Sequence, residues 1–90
     1  MITSINSNRY GGPPIHPGTI IRKNFIIPLS LSAYALAKAL HISQTRLGEI
    51  LAGRRSITAD TALRLARYFN MTPDFWLNLQ TAYDLRQAEI

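Results

Sequence analysis

The sequence predicts an all-α domain of five short helices, and three observations support this fold class. Apolar residues recur at helical spacing, for example at Ala62, Leu65, Ala66 and Phe69. Residues that favour helix starts, either hydroxyl side chains or proline, precede the candidate helices. No segment alternates apolar and polar residues between turn signals, as a half-buried strand would. With 90 residues, 47% of them hydrophobic, the chain is expected to form one small globular domain.

The first 15 residues lack periodicity and contain the breaker cluster Gly11-Gly12-Pro13-Pro14, so residues 1–15 are predicted to be a flexible N-terminal arm. The domain then spans residues 16–90. Helix one is expected to begin at Pro17, because proline suits the first helical position. It should run to about Ile26, since Pro28 disfavours helical backbone in the residue before it.

Helix two is predicted to begin after Ser32, whose hydroxyl can accept a hydrogen bond from a free amide of the first turn, and to end at Leu40. Its buried face should carry Leu36 and Ala37, with Ala33 on the same side. Ala37 is a small residue at the point where this helix would cross the next one.

A tight turn at His41 and Ile42 leads to helix three, which Ser43 should cap and which should end near Leu51 or Ala52. Gly53 can then stop the helix in the left-handed conformation. His41 occupies a turn position that can also require left-handed backbone, which histidine tolerates better than most residues.

Helix four is expected between a Thr58 cap and Asn70, and helix five begins at Pro73 and runs toward Ala88. Helix five carries one apolar stripe, formed by Phe75, Trp76, Leu79 and Tyr83. Two further leucines, Leu77 and Leu85, lie off this stripe. A helix that is apolar on more than one side needs more than one partner surface, so both leucines are predicted to form a homodimer interface.

Helices two and three have the spacing of a helix-turn-helix, in which the first helix braces a second that presents its N-terminal side chains to a DNA groove. The net charge is +5. Residues 38–67 hold six cations and two anions, a net charge of +4, so most of the excess lies around this motif. Such a patch fits a polyanionic partner or, alternatively, an ordinary solvated surface; the motif favours DNA.

Helix three is therefore the candidate recognition helix. Gln44 and Thr45 are expected to contact bases, and Arg46 is a further candidate because arginine can donate two hydrogen bonds to guanine. Glu49 either accepts from cytosine or tethers a basic side chain. Phosphate contacts are assigned to a second set of DNA-binding residues: Ser43, Arg54, Arg55 and Lys38. Arg64 and Arg67 are left out of the site, because they can pair with Asp60 instead.

Several functions find no support in the sequence. There are no cysteines, and His16 and His41 alone make a poor metal site, so no metal or other cofactor is predicted. No acid pair, activated nucleophile or glycine-rich phosphate loop suggests an enzyme. No apolar run suggests a membrane span and no signal peptide is evident, which makes the cytoplasm the expected location.

From His16 to about Asp84 the sequence resembles the HigA-type antitoxins, a branch of the phage-repressor-like (XRE) helix-turn-helix family. The segments that carry the resemblance are His16-Pro17-Gly18, the stretch from Pro28 to Leu40, Ile42 to Leu47, Ile50 to Arg55, Ile57 to Ala66, and Pro73 to Gln80. Together they cover about three quarters of the chain.

The resemblance implies a bacterial protein of a type II toxin–antitoxin pair. Such proteins neutralise a small RelE-like, mRNA-cleaving toxin and repress their own operon, usually as dimers. Two departures from the family pattern concern the motif. His41 stands where glycine is usual, and Ala33 stands where many repressors place a glutamine that braces the recognition helix.

Two other interpretations remain open. The first is a stand-alone helix-turn-helix repressor without a toxin, and the second is a protein-interaction domain that no longer binds DNA. The toxin-binding surface is equally open among the N-terminal arm, helix one and the back of helix five.

Overall fold

The computed structural model of the protein describes residues 14–89, so nearly all of the predicted N-terminal arm lies outside the described part of the chain. Within residues 14–89 the structure contains five α-helices and no strand. They are α1 (Pro17–Ile21), α2 (Ala33–Leu40), α3 (Gln44–Leu51), α4 (Ala59–Phe69) and α5 (Pro73–Glu89). The predicted all-α fold is confirmed, and the helices follow the expected order.

Helix α1 continues without a break into a π-helical segment, Arg22–Ile26. The wider turn is visible in the hydrogen bond from the Ile27 amide to the Arg22 carbonyl oxygen, 3.0 Å. The predicted helix from Pro17 to about Ile26 is therefore confirmed in extent, with its second half wound as a π-helix. A turn through Pro28 follows, but the reason given for the helix end is wrong: Ile27, the residue before the proline, keeps helical backbone (φ −66°, ψ −53°).

The helix starts and ends follow local chemistry. The hydroxyls of Ser32 and Ser43 each accept a hydrogen bond at 3.0 Å from the third amide of the helix that follows. Thr58 does the same for α4 at 3.4 Å. Left-handed backbone ends three of the helices, at His41 (φ 60°), Gly53 (φ 80°) and Asn70 (φ 56°). Each of these six residues is assigned to its helix boundary from sequence, and the structure confirms the assignments.

The core lies between all five helices. Its buried hydrophobic residues are Ile21, Leu36, Ala37, Leu40, Leu47, Ile50, Ile57, Ala62, Leu65, Ala66 and Trp76. Ala33 was expected on the buried face of α2, and this prediction is wrong because Ala33 is exposed. It is the first residue of the helix, and its short side chain does not reach the core that Leu36 and Ala37 join.

Helix α1 crosses the end of α3 at very close range. A Cβ atom on Gly18 would lie 2.8 Å from the carbonyl carbon of Ile50 and 2.9 Å from the Cα of Leu51. Those distances are too short for any side chain, so glycine is required where the two backbones meet. This contact fixes α1 against the helix that was predicted to recognise DNA.

Helix α5 packs mainly on α4 and closes the core through Trp76, which is fully buried. The buried face of α5 also includes Gln80, a polar residue that was not expected there. Phe75, which was expected in the apolar stripe, is 37% exposed. The predicted apolar stripe is thus only partly the buried face. None of the helices within residues 14–89 is long and apolar enough to cross a membrane.

Candidate nucleic-acid interface

The turn between α2 and α3 has the geometry that a helix-turn-helix requires. His41 adopts φ 60° and ψ 42°, and its amide donates to the carbonyls of α2, which ends the helix. Ile42 is half-buried against the core, and Ser43 starts α3 at the next position. The predicted role of His41, left-handed backbone at the position where glycine is usual, is confirmed.

Helix α3 divides into a buried and an outer face. Leu47 and Ile50 are buried, whereas Gln44, Thr45 and Gly48 are exposed. Because residues three and four apart share a helix face, these three exposed positions form one continuous surface over the first turns of α3. We call Gln44, Thr45 and Gly48 the outer face of α3. The structure thus places the two predicted base-contacting residues, Gln44 and Thr45, side by side in solvent.

Arg46 lies beside the outer face and is turned toward α4. Its Nη2 atom donates to Oδ2 of Asp60 at 2.8 Å and to Oγ1 of Thr61 at 2.6 Å. Its side chain is only 27% exposed. In this arrangement the guanidinium joins α3 to α4, so a contact with DNA would require it to reorient or to use its remaining nitrogen atoms.

Asp60 also holds a second arginine. Arg64 donates from Nε to Oδ2 of Asp60 at 3.0 Å, which is the pair expected from sequence. Hydrogen bonds from Arg46 and then Arg64 hold the pKa of Asp60 below its ordinary value, so the carboxylate stays ionised at neutral pH. Arg64 further donates from Nη1 to the carbonyl oxygen of Leu40, 2.9 Å, at the end of α2. This contact joins α4 to the motif, and sequence reasoning missed it because the two residues lie 24 positions apart.

Glu49 tethers the loop of residues 54–56, which follows α3 and which we call the basic loop. Arg55 donates from Nε to Oε1 of Glu49 at 2.8 Å, and its Nη2 lies 2.6 Å from the same oxygen. Of the two roles considered for Glu49, the structure has the tether, and the tethered residue is Arg55. Arg54 is exposed beside it and has no ion-pair partner among residues 14–89. Lys38 is exposed on α2.

His16 is the residue that sequence reasoning most clearly missed. Its Nδ1 accepts a hydrogen bond from the Gly18 amide, 2.9 Å, and so caps α1. The ring lies edge-on to Tyr83 of α5, with centroids 4.9 Å apart, and beside Gly53, where an added Cβ would lie 3.7 Å from the Cγ atom of the ring. Burial lowers the pKa of His16, against smaller raising effects of the Arg55 backbone and of Asp84. One side chain thus joins α1, α5 and the turn that follows α3.

Gln80 of α5 binds the backbone directly after the basic loop. Its Oε1 accepts from the Ile57 amide at 2.8 Å, and its Nε2 donates to Oδ1 of Asp84 at 2.9 Å. A polar residue in the buried line of an amphipathic helix is the one sequence signal that could have suggested this role. Within residues 14–89 no cluster of three or more histidine and acidic side chains could hold a metal ion.

The two leucines predicted at a dimer interface differ in their surroundings. Leu77 is half-buried and packs against the core, so much of its side chain is already used within the domain. Leu85 is 63% exposed. The structure therefore leaves Leu85 as the more available of the two for a second copy of the chain.

The fold and the capped helix pair define a helix-turn-helix protein, and residues 21–76 match the family model described as "Helix-turn-helix". Virulence-associated protein I of Dichelobacter nodosus is 56% identical over 86 residues, which cover 96% of this chain and 80% of that protein. A HigA-family addiction module antidote protein from Coxiella burnetii is 55% identical, with a TM-score of 0.81 over 86% of this chain and 84% of that one.

A third relative was solved with DNA. The structure of Pseudomonas aeruginosa antitoxin HigA with the higBA promoter is 45% identical to this chain, with a TM-score of 0.81 over 83% of this chain and 82% of that one. The chain belongs to the HigA-type antitoxins of the helix-turn-helix family. Its relatives include antitoxins and HTH-type transcriptional regulators, and neither is a class of enzyme.

Proposed function

We propose that this protein is an antitoxin that represses its own operon, by inserting the outer face of α3 into the major groove of operator DNA. The exposed pair Gln44 and Thr45 at the capped start of α3 carries this proposal. Glutamine offers a donor and an acceptor together to adenine, and threonine can bond either base or touch the thymine methyl group. The P. aeruginosa antitoxin solved with its promoter supports the same use of the motif.

Phosphate binding falls to the residues around this face. Ser43 lies at the positive end of the α3 dipole, and Arg54, Arg55 and Lys38 supply exposed charge. Glu49 holds the Arg55 guanidinium at the end of α3, which preorganises that charge for the DNA backbone. Arg46 mainly joins α3 to α4 through its hydrogen bonds to Asp60 and Thr61. It contacts DNA only with the guanidinium nitrogen atoms that these two residues leave free.

Binding to the DNA directly upstream of the protein's own gene tests this assignment. A labelled duplex of that region should bind wild-type protein with a salt-dependent affinity, and unrelated DNA of equal length should bind less tightly. Gln44→Ala should weaken binding to the upstream duplex much more than binding to unrelated DNA. Arg54→Ala should weaken both alike and make the slope of log affinity against log salt shallower by about 0.9, one phosphate contact.

Arg67→Ala is the matched control, because it removes the same charge from an exposed position of α4 that is outside the predicted site. It should alter the affinity and the salt slope less than Arg54→Ala. If Gln44→Ala and Arg54→Ala both retain wild-type affinity at matched salt, the outer face of α3 does not bind DNA.

The second half of the proposal is neutralisation of a small RelE-like, mRNA-cleaving toxin in the bacterial cytoplasm. The HigA-type resemblance and the solved antidote protein support it. Tagged protein purified from its native cells should retain a small partner at fixed ratio, identified by mass spectrometry. That partner should arrest growth and cleave mRNA when expressed alone, and co-expression of this protein should restore growth.

Two outcomes would each replace one half of the proposal. Recovery of the protein alone, with upstream DNA binding intact, would indicate a stand-alone repressor. A protein partner without any DNA binding would indicate a pure interaction domain.

The operator complex is further proposed to contain a homodimer, because two recognition helices about one DNA turn apart can read a palindrome. The exposed side chain of Leu85 supports contact between the copies through α5, with Leu77 contributing the part of its surface that the core leaves free.

A further inference from the structure

Gly48 interrupts the recognition helix with the least favourable helix-interior residue other than proline. It lies in the middle of an eight-residue helix whose backbone is regular, so no left-handed or strained conformation calls for glycine there. A position that weakens a short helix should have a compensating reason.

That reason does not lie within the domain. A Cβ atom built on Gly48 meets nothing within 4 Å, so open space surrounds the position among the described residues. The other two glycines in this region have internal reasons: Gly18 meets the backbone of α3, and Gly53 adopts φ 80°. Gly48 is thus the one described glycine that neither packing nor backbone conformation explains.

The position of Gly48 on the helix indicates an external reason. It follows Gln44 by four residues and Thr45 by three, so it lies one turn further along the outer face, between the two. An α-helix with its side chains is roughly 10–12 Å across, and the major groove is about 12 Å wide and about 8.5 Å deep. A helix therefore fits with little room to spare, and a position without a side chain allows its backbone to approach the DNA closely.

We propose that Gly48 sets the depth at which α3 enters the major groove, and so determines whether Gln44 and Thr45 reach the base edges. This inference rests on the proposed operator binding and deepens it, because it adds a positioning residue that itself makes no side-chain contact. Any side chain at position 48 holds the helix away from the groove floor and lengthens the contacts of both neighbours.

The test uses Gly48→Ala and Gly48→Gln with the duplex from upstream of the gene. Gly48→Ala should raise Tm by about 4–8 °C, because alanine favours the helix and the added methyl group meets open space. The same variant should bind the upstream duplex less tightly than wild-type protein. Gly48→Gln should lose about tenfold or more in affinity, comparable to losing one base contact. Binding to unrelated DNA, which depends on phosphates, should change less.

Ala39→Gln serves as the matched control, since it adds a side chain at an exposed position near the end of α2, away from the outer face of α3. It should retain wild-type affinity. A stabilised Gly48→Ala protein with unchanged affinity, or a Gly48→Gln protein that binds as tightly as wild-type, would overturn the inference while leaving the proposed function intact. If wild-type protein does not bind the upstream duplex, the proposed function fails and this inference fails with it.

Discussion

The substitution Gly→Ala should have opposite effects on stability at Gly18 and at Gly48. At Gly18 the added Cβ would lie 2.8 Å from the carbonyl carbon of Ile50 and closer still to its oxygen. These atoms belong to the backbone of α3, so they cannot rotate away as the end of a side chain could. Relief requires α1 to move away from α3, which opens the packing around Ile21 and Ile50.

The size of the effect follows from two opposing terms. Overpacking a core typically costs about 1–3 kcal/mol, and immobile backbone neighbours place Gly18→Ala near the upper end of that range. The gain in helix propensity returns at most about 1 kcal/mol. The net loss is about 2 kcal/mol, which lowers Tm by roughly 8–16 °C in a domain of this size. Gly48→Ala has only the favourable term and should stabilise by about 1 kcal/mol.

The assay is urea unfolding followed by the fluorescence of Trp76, the only tryptophan, which is fully buried. Far-UV circular dichroism should give the same midpoints if unfolding is two-state. All three proteins must be compared at one concentration, because self-association makes the midpoint depend on concentration. If Gly18→Ala unfolds at the same urea concentration as wild-type protein or at a higher one, the close contact between α1 and α3 is wrong.

Three further predictions concern the cap of α1, the cap of α3 and the outer side of α5. Burial lowers the pKa of His16 below its ordinary value of 6.5, so the unfolded chain takes up the proton first as pH falls. The free energy of unfolding should therefore decrease below about pH 6.5, and a His16→Asn variant, which keeps a capping side chain, should show a flatter dependence in the same titration. Ser43→Ala and Ser32→Ala should each cost about 1 kcal/mol in urea unfolding, but only Ser43→Ala should also weaken DNA binding; equal DNA affinity for both would remove Ser43 from the interface. Leu85→Glu should shift sedimentation toward monomer, whereas Leu63→Glu, at another exposed leucine, should not. A modest interface is populated at about tens of micromolar protein. Wild-type protein that sediments as a monomer in that range would contradict the dimer.

The sequence was sufficient for the helices because their boundaries depend on neighbouring residues. Ser32, Ser43 and Thr58 each bond an amide three residues away, and His41 and Asn70 adopt left-handed backbone through their own conformational preferences. The exposed positions of Gln44 and Thr45 followed from the same helical spacing, and so did the burial of Leu47 and Ile50. Where a boundary residue has little to reach, as at Ala33, spacing alone gave the wrong burial.

The arrangement around α3, the candidate recognition helix, was decided only by the tertiary structure, because the partners of its side chains are distant in sequence. Arg46 meets Asp60 across 14 residues, and the ring of His16 lies edge-on to that of Tyr83. A charged or aromatic side chain can pair with many others, and periodicity does not say which helix will lie opposite. Local chemistry in the sequence therefore determined the five helices and the face of α3 that can meet DNA. Long-range packing decided which arginines brace that face and which remain free to bind.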